Sequence, residues 1–257
     1  MSGRRTTIYG AAHYERLLSI PRERVLCIDV ETTGLDSQKD EILQLAIVDG
    51  NGERLLCTYI HPDHRKRWPK AQEVNGITWQ MVKGAPTLKE VKDEAQAIIS
   101  SAELIIGYNV SFDQRMLKAG GIGFGTRDIY DVMEDYAQVW GTWSYHKGDY
   151  LWVSLEKAAS HFKIPLDAHD AANDAIATAR LFYAMLESDD FKAASEARDA
   201  EIERQREEGA RQQAELEKIE RSQRHGALTA WIIIALIIFA IIGLPLIFLA
   251  SCVSNFS

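Results

Sequence analysis

This sequence predicts an α/β layer fold followed by a charged helical stalk and one transmembrane helix, on three observations. Three strand-like segments follow one another near the amino terminus. Strand and helix patterns then alternate up to about Leu186, and beyond it the composition turns first highly charged and then almost wholly apolar. The 257 residues, 46% of them hydrophobic, suffice for one full-sized core.

Arg24 to Glu31 (RVLCIDVE) is a short apolar run ending in two carboxylates, the pattern of a buried strand entering a turn. Asp40 to Asp49 and Arg54 to Ile60 read as two more strands, with Asp49-Gly50-Asn51-Gly52 as the hairpin turn between them. A helix is expected over Leu88 to Ser100 and a strand over Glu103 to Tyr108. Ser111 with Gln114 three residues on has the spacing of a capping box, which would put Asp113 in the first turn of the next helix. Ala168 to Leu181 is an Ala-rich helix suited to close packing on a sheet, with His169 at its beginning and Asp174 inside it.

Phe191 to His225 is rich in Glu, Arg, Gln and Ala, and opposite charges recur four apart, as at Glu207–Arg211 and Glu220–Arg224, so a solvated helix is expected there. From Ala230 to Ala250 the apolar run reaches the ~20 residues needed to cross a membrane. Arg221, Arg224 and His225 before it and an uncharged tail after it predict a single-pass anchor, in contact with membrane lipid, that leaves the main domain on the cytoplasmic side. The expected organisation is an extension over residues 1–20, the main domain over 21–188, a stalk over 189–226, the anchor over 227–250 and a tail over 251–257.

A net charge of −8 argues against a protein that coats nucleic acid, because such proteins draw much of their affinity from Lys and Arg contacts to phosphates. An enzyme that grips one strand end needs only a local patch, and His64-Arg65-Lys66-Arg67 with Lys70 could supply it. The three cysteines lack zinc spacing and imply no disulfide framework.

Asp29 and Glu31 project from one face of their strand, since side chains alternate along it. An isolated D-x-E is common by chance. Three segments in order carry more: Asp29-x-Glu31-Thr32-Thr33-Gly34-Leu35, then Gly107-Tyr108-Asn109-x-x-Phe112-Asp113, then His169-x-x-x-x-Asp174-Ala175. Together they resemble the motifs of the DEDDh exonuclease family, which includes the proofreading subunits of bacterial replicative polymerases. Gly76-Ile77-Thr78 and Ser154-Leu155-Glu156-Lys157-Ala158 are also similar to the family.

The resemblance implies an RNase H-like mixed sheet flanked by helices and a 3′→5′ exonuclease using two Mg²⁺ or Mn²⁺ ions. Asp29, Glu31 and Asp174 would hold one ion, with Asp29 bridging to a second that Asp113 supports. His169 would be the general base. Thr32, Thr33, Gly34 and Leu35 would lie under the terminal nucleotide, with Asn109 and Phe112 shaping the site from behind. Carboxylate oxygens suit such hard ions, and two ions can stabilise both the attacking and the leaving oxygen of an in-line phosphoryl displacement. Neutral imidazole can take the proton of the attacking water. The expected partner is the 3′ end of single-stranded nucleic acid, DNA in preference to RNA; an exoribonuclease or oligonucleotide scavenger is the alternative, and a non-catalytic binding scaffold a third reading. Trp79, Trp143, Tyr145 and Trp152 are candidates for base stacking.

Overall fold

The computed structural model describes residues 8–238. A short helix, α1 (Ala11–Leu18), and a 3₁₀ turn lead into an antiparallel meander of β1 (Val25–Thr32), β2 (Ile42–Asp49) and β3 (Arg54–Tyr59). The β2–β3 turn forms where the sequence places it: the Asp49 carboxylate accepts the backbone N–H groups of Asn51 and Glu53, and Gly52 takes the positive φ. Helices α2 (Pro69–Asn75), α3 (Trp79–Val82) and α4 (Leu88–Ser101) carry the chain over to β4 (Leu104–Gly107), parallel to β1, and α5 (Val110–Ala119) leads to β5 (Asp128–Asp131), parallel to β4. The sheet order is β3-β2-β1-β4-β5. After α6 (Val132–Trp140), a two-stranded hairpin of β6 (Trp143–Ser144) and β7 (Asp149–Tyr150) precedes α7 (Leu155–His161), α8 (Ala171–Glu187) and α9 (Asp189–Ile238).

The central strand β1 is buried on both faces, which is why it reads as a continuous apolar run. Leu26, Ile28 and Val30 face Val91, Ala95 and Ile99 of α4 and Met116 and Leu117 of α5. Val25 and Cys27 face Ala171, Ala175 and Ala179 of α8, whose small side chains bring that helix close to β1 and β2. The two unbroken faces give an α/β/α layered domain with β1 in the middle.

Two helix starts differ from the sequence expectation. Helix α5 begins one residue before Ser111, with Asn109 at the N-cap in a left-handed conformation (φ 65°), because the Asn109 N–H is held by the Asp131 carboxylate at 3.0 Å. Asn tolerates that conformation better than most residues, and Ser111 donates to Asn109 Oδ1 instead of capping. Helix α8 begins at Ala171, because His169 has φ 71° and Asp170 accepts the Asn173 N–H as the cap.

The chain divides into two units, residues 1–199 and 200–257. The first includes the start of α9, where Phe191 is buried against Tyr14. In the second, the described helix is solvent-exposed and carries the Glu207–Arg211 and Glu220–Arg224 pairs at 3.6 and 3.8 Å.

The expected membrane anchor, with its lipid contact and the cytoplasmic placement drawn from it, is corrected. Among the described residues no helix is long and apolar enough to cross a membrane. Helix α9 is charged over most of its length, and Ala230–Ile238 spans only ~13 Å at ~1.5 Å per residue, against a ~30 Å hydrocarbon layer. The rest of the apolar run, residues 239–250, and the tail 251–257 lie outside the described residues.

Candidate active site

Three non-contiguous elements meet at the carboxyl end of β1. Asp29 and Glu31 leave β1 on the face that Cys27 shares, towards α8. The register with β2 shifts between Glu31 and Thr32, a bulge that ends the regular ladder where the chain turns into Thr33-Gly34-Leu35. Asp174, in the first turn of α8, comes over this face, and ligand atoms of Glu31, His169 and Asp174 all lie within 4.8 Å of one another. Asp113, in the first turn of α5, is buried at 3% exposure and reaches the strand from its other side, accepting the Val30 N–H at 3.0 Å. Asp29 lies half-buried between them.

His169 stands before the α8 cap. Its backbone N–H donates to Asp174 Oδ2 at 3.2 Å, and its Nε2 lies 3.7 Å from Glu156 Oε1 on α7. The positive φ turns this side chain out of the helix direction, and nearly half of it remains open to solvent. Water can therefore reach this imidazole, as a proton acceptor would require.

Burial first, and neighbouring acids second, raise the proton affinity of all four carboxylates. Loss of water and then the charges of Asp113, Asp174 and Glu31 hold Asp29 well above the ordinary carboxylate range. Burial does the same to Asp113 and pushes Glu31 to about 7 and Asp174 to about 6. Asp174 Oδ1 is buried with no hydrogen-bond partner. Repelling acids and an orphaned carboxylate oxygen are the conditions that divalent cations relieve, and an all-oxygen donor set beside one imidazole fits Mg²⁺ or Mn²⁺. The residues present therefore fit the metal that the sequence motifs imply.

A cleft of about 520 Å³ opens beside Glu31, lined by Thr32, Thr33, Gly34, Leu35, Asn75 and Phe112, with Arg65 and Lys70 on its wall. The two threonine hydroxyls build the turn: Thr32 Oγ1 donates to Gly34 O, and Thr33 Oγ1 donates to Asp40 and accepts the Glu41 N–H. Gly34 is required for close approach, since a Cβ there would come within 2.5 Å of the Asp40 carboxylate. Leu35, 83% exposed, stands at the rim. Phe112 packs on the core between β1 and α5 and shows one edge to the cleft. Asn109 does not line the cleft; it holds the start of α5 from behind. Of the stacking candidates, Trp79 packs with Trp68 and His61 in a small satellite core, while the other three are exposed.

Sequence reasoning missed three supporting residues. Gln44, opposite Glu31 in the ladder, donates to Asp170 at 2.8 Å and accepts the Ala171 N–H, so it docks the start of α8 onto β2. A lone amide within ILQLAIVD was the available signal. Asn75 donates to Thr32 O at 3.2 Å, and its amide also hydrogen-bonds Glu31, opposing the upward shift there. Glu156 belongs to a quoted motif, but no local pattern points it at His169.

Residues 26–182 match the family described as Exonuclease (RNase_T). The chain is 29% identical over 185 residues to a PolC-type DNA polymerase III of Halalkalibacterium halodurans, covering 69% of this chain and 12% of the polymerase. It is 30% identical over 166 residues to the uncharacterized exonuclease CP81 of Escherichia phage 186, covering 57% of this chain and 80% of the phage protein. Among solved structures, E. coli exonuclease I in complex with a dA16 oligonucleotide aligns at a TM-score of 0.50 with 19% identity, over 63% of this chain and 42% of that one. That likeness shows the fold, a mixed five-stranded sheet flanked by helices, as the sequence motifs imply.

Proposed function

The chain belongs to the exonuclease (RNase_T) family, and from that premise we propose that it is a metal-dependent 3′→5′ exonuclease releasing nucleoside 5′-monophosphates from single-stranded DNA ends. The observation that carries this reading is the group formed by Glu31, His169 and Asp174 at the end of β1, their ligand atoms within 4.8 Å of one another and Asp174 Oδ1 left without a partner, with Asp29 electrostatically linked to Glu31, Asp113 and Asp174. Residues 21–188 hold these groups and are the proposed catalytic domain.

Asp29, Glu31 and Asp174 would hold one ion, and Asp29 with Asp113 a second. Two bound Mg²⁺ or Mn²⁺ ions supply Lewis-acid stabilisation of the attacking and leaving oxygens. The chain's own groups do the rest. His169 accepts a proton from the attacking water, whose oxygen forms the new bond to phosphorus as the P–O3′ bond to the penultimate nucleotide breaks. The phosphate leaves with the terminal nucleoside, and the departing 3′ oxygen takes a proton from solvent to become the 3′ hydroxyl of the shortened strand. Glu156, 3.7 Å from Nε2, helps to orient the imidazole. The Thr32–Leu35 turn and Phe112 receive the terminal nucleoside. DNA is favoured by the Thr-Thr-Gly-Leu form of the first motif and by the relative that is a DNA polymerase.

The test is a 5′-labelled single-stranded DNA incubated with the full chain and Mg²⁺ or Mn²⁺, beside a matched RNA, an EDTA control and Asp29→Ala. A ladder shortening from the 3′ end, lost in both controls, supports the reading. RNA cleavage with inert DNA transfers it to an exoribonuclease, and cleavage of neither overturns it.

A further inference from the structure

We propose that the β6–β7 hairpin is a stacking platform for the bases of the single-stranded substrate, a binding site outside the nucleotide cleft; the proposal rests on the nucleic-acid activity proposed above. Large aromatic side chains are buried wherever a fold can bury them, and an exposed group of them marks a contact surface. Here Trp143 is 40%, Tyr145 93% and Trp152 51% exposed, all within one ten-residue stretch.

The hairpin is firmly held at its base. Leu151 N–H donates to Thr142 O at 2.8 Å, Tyr108 Oη donates to Val153 O at 2.7 Å, and Gly141 lets the Leu151 carbonyl approach closer than any side chain would permit. The aromatic rings are thus displayed by an anchored element rather than by a free loop. Tyr108 itself ends β4, next to the Asn109 cap behind the catalytic cluster. Trp152 precedes Glu156 by four residues, and Glu156 lies 3.7 Å from His169. Four residues span at most ~14 Å, so Trp152, at the end of the platform nearest α7 along the chain, stands within a few nucleotides of the proposed proton acceptor.

Charge favours a polyanion there. In a chain of net charge −8, the one carboxylate of the hairpin, Asp149, is buried at 6% exposure and accepts its neighbour's N–H from Tyr150. Lys147 is exposed and shares a hollow of about 330 Å³ with Tyr150, Leu151 and Trp152. A flat ring with a lysine beside it is suited to a base and its phosphate, and because every base has a π face the contact carries no sequence preference.

The test measures binding apart from hydrolysis. Fluorescence anisotropy of the full chain with a labelled thymidine strand of about twelve nucleotides is followed with Ca²⁺ in place of Mg²⁺. Tyr145→Ala and Trp152→Ala should each weaken binding about fivefold or more. Tyr145→Phe should bind as the unaltered protein does, and an abasic strand of equal length should be bound equally by all of them. Unchanged affinity in both alanine variants, or equal losses on thymidine and abasic strands, overturns the platform. Hydrolysis of a nitrophenyl ester of thymidine 5′-monophosphate, too small to reach the hairpin, is assayed in parallel with Mn²⁺. All variants should retain it; an unaltered protein inert to both ester and DNA sinks the proposed enzyme, whereas the binding result decides the platform on its own.

Discussion

Two groups of buried acid in this molecule are built in opposite ways. On the α1 and α6 side, Asp135 is fully buried and its Oδ2 accepts the hydroxyls of Tyr14 and Tyr130, each at 2.7 Å. At the end of β1, burial and neighbouring acids raise the proton affinity of Asp29, Glu31, Asp113 and Asp174, and Asp174 Oδ1 is left without a donor. The first arrangement is complete within the chain and ties a terminal helix to the core. The second leaves hydrogen-bonding capacity unmet, as the proposed cation site would, so burial of acid alone does not separate structure from chemistry, whereas unmet capacity does.

The sharpest way to break this contrast is Asp29→Asn. It should reduce strand hydrolysis about a thousandfold or more, while the unfolding midpoint of the metal-free protein holds or rises, because one repelling charge is gone. Asp135→Ala should do the reverse: about 3 kcal/mol or more of stability lost in denaturant unfolding, since two buried hydroxyls lose their acceptor, with kcat of the folded protein unchanged. A smaller effect separates the two sites by pH. Glu31 at about 7 and Asp174 at about 6 are raised in the folded state, so their contribution to stability is fully present below the ordinary carboxylate range and is lost as pH rises through those values. The melting temperature of the metal-free protein should therefore fall between about pH 5 and about pH 8, and Mg²⁺ should restore it most at the upper end; a flat profile with no metal response would contradict the contrast. The mildest case is Gln44→Leu, which leaves Asp170 and the Ala171 N–H short of a partner. About 1–2 kcal/mol of stability and a several-fold fall in kcat are expected as the start of α8 loosens, measured by melting and steady-state kinetics.

The legible part of this protein was its local order. Period-two alternation at the end of an apolar strand placed Asp29 and Glu31 on one face, and the Ala-rich stretch with Asp174 announced a helix lying close on the sheet. The start of α5 was misread because Ser111 looks like a cap, whereas the deciding contact is from Asp131, twenty-two residues away from Asn109. Gln44, Asn75 and Glu156 were hidden for the same reason: each acts through a partner far along the chain, and no spacing rule reaches that far. The membrane helix was read from the length of one apolar run and the charges flanking it, and the described part of α9 does not supply it.

That Asp174 arrives on α8 sets the order in which this molecule can come into being. Its partner Asp29 lies 145 positions earlier in the chain (174 − 29), and contacts so remote form late because long loops must close first. A growing polypeptide that has made the whole meander and both parallel strands still has an incomplete cluster. Under the proposed activity, hydrolysis would be a signal of maturity: a chain truncated before α8 carries three of the four acids and should leave nucleic acid intact.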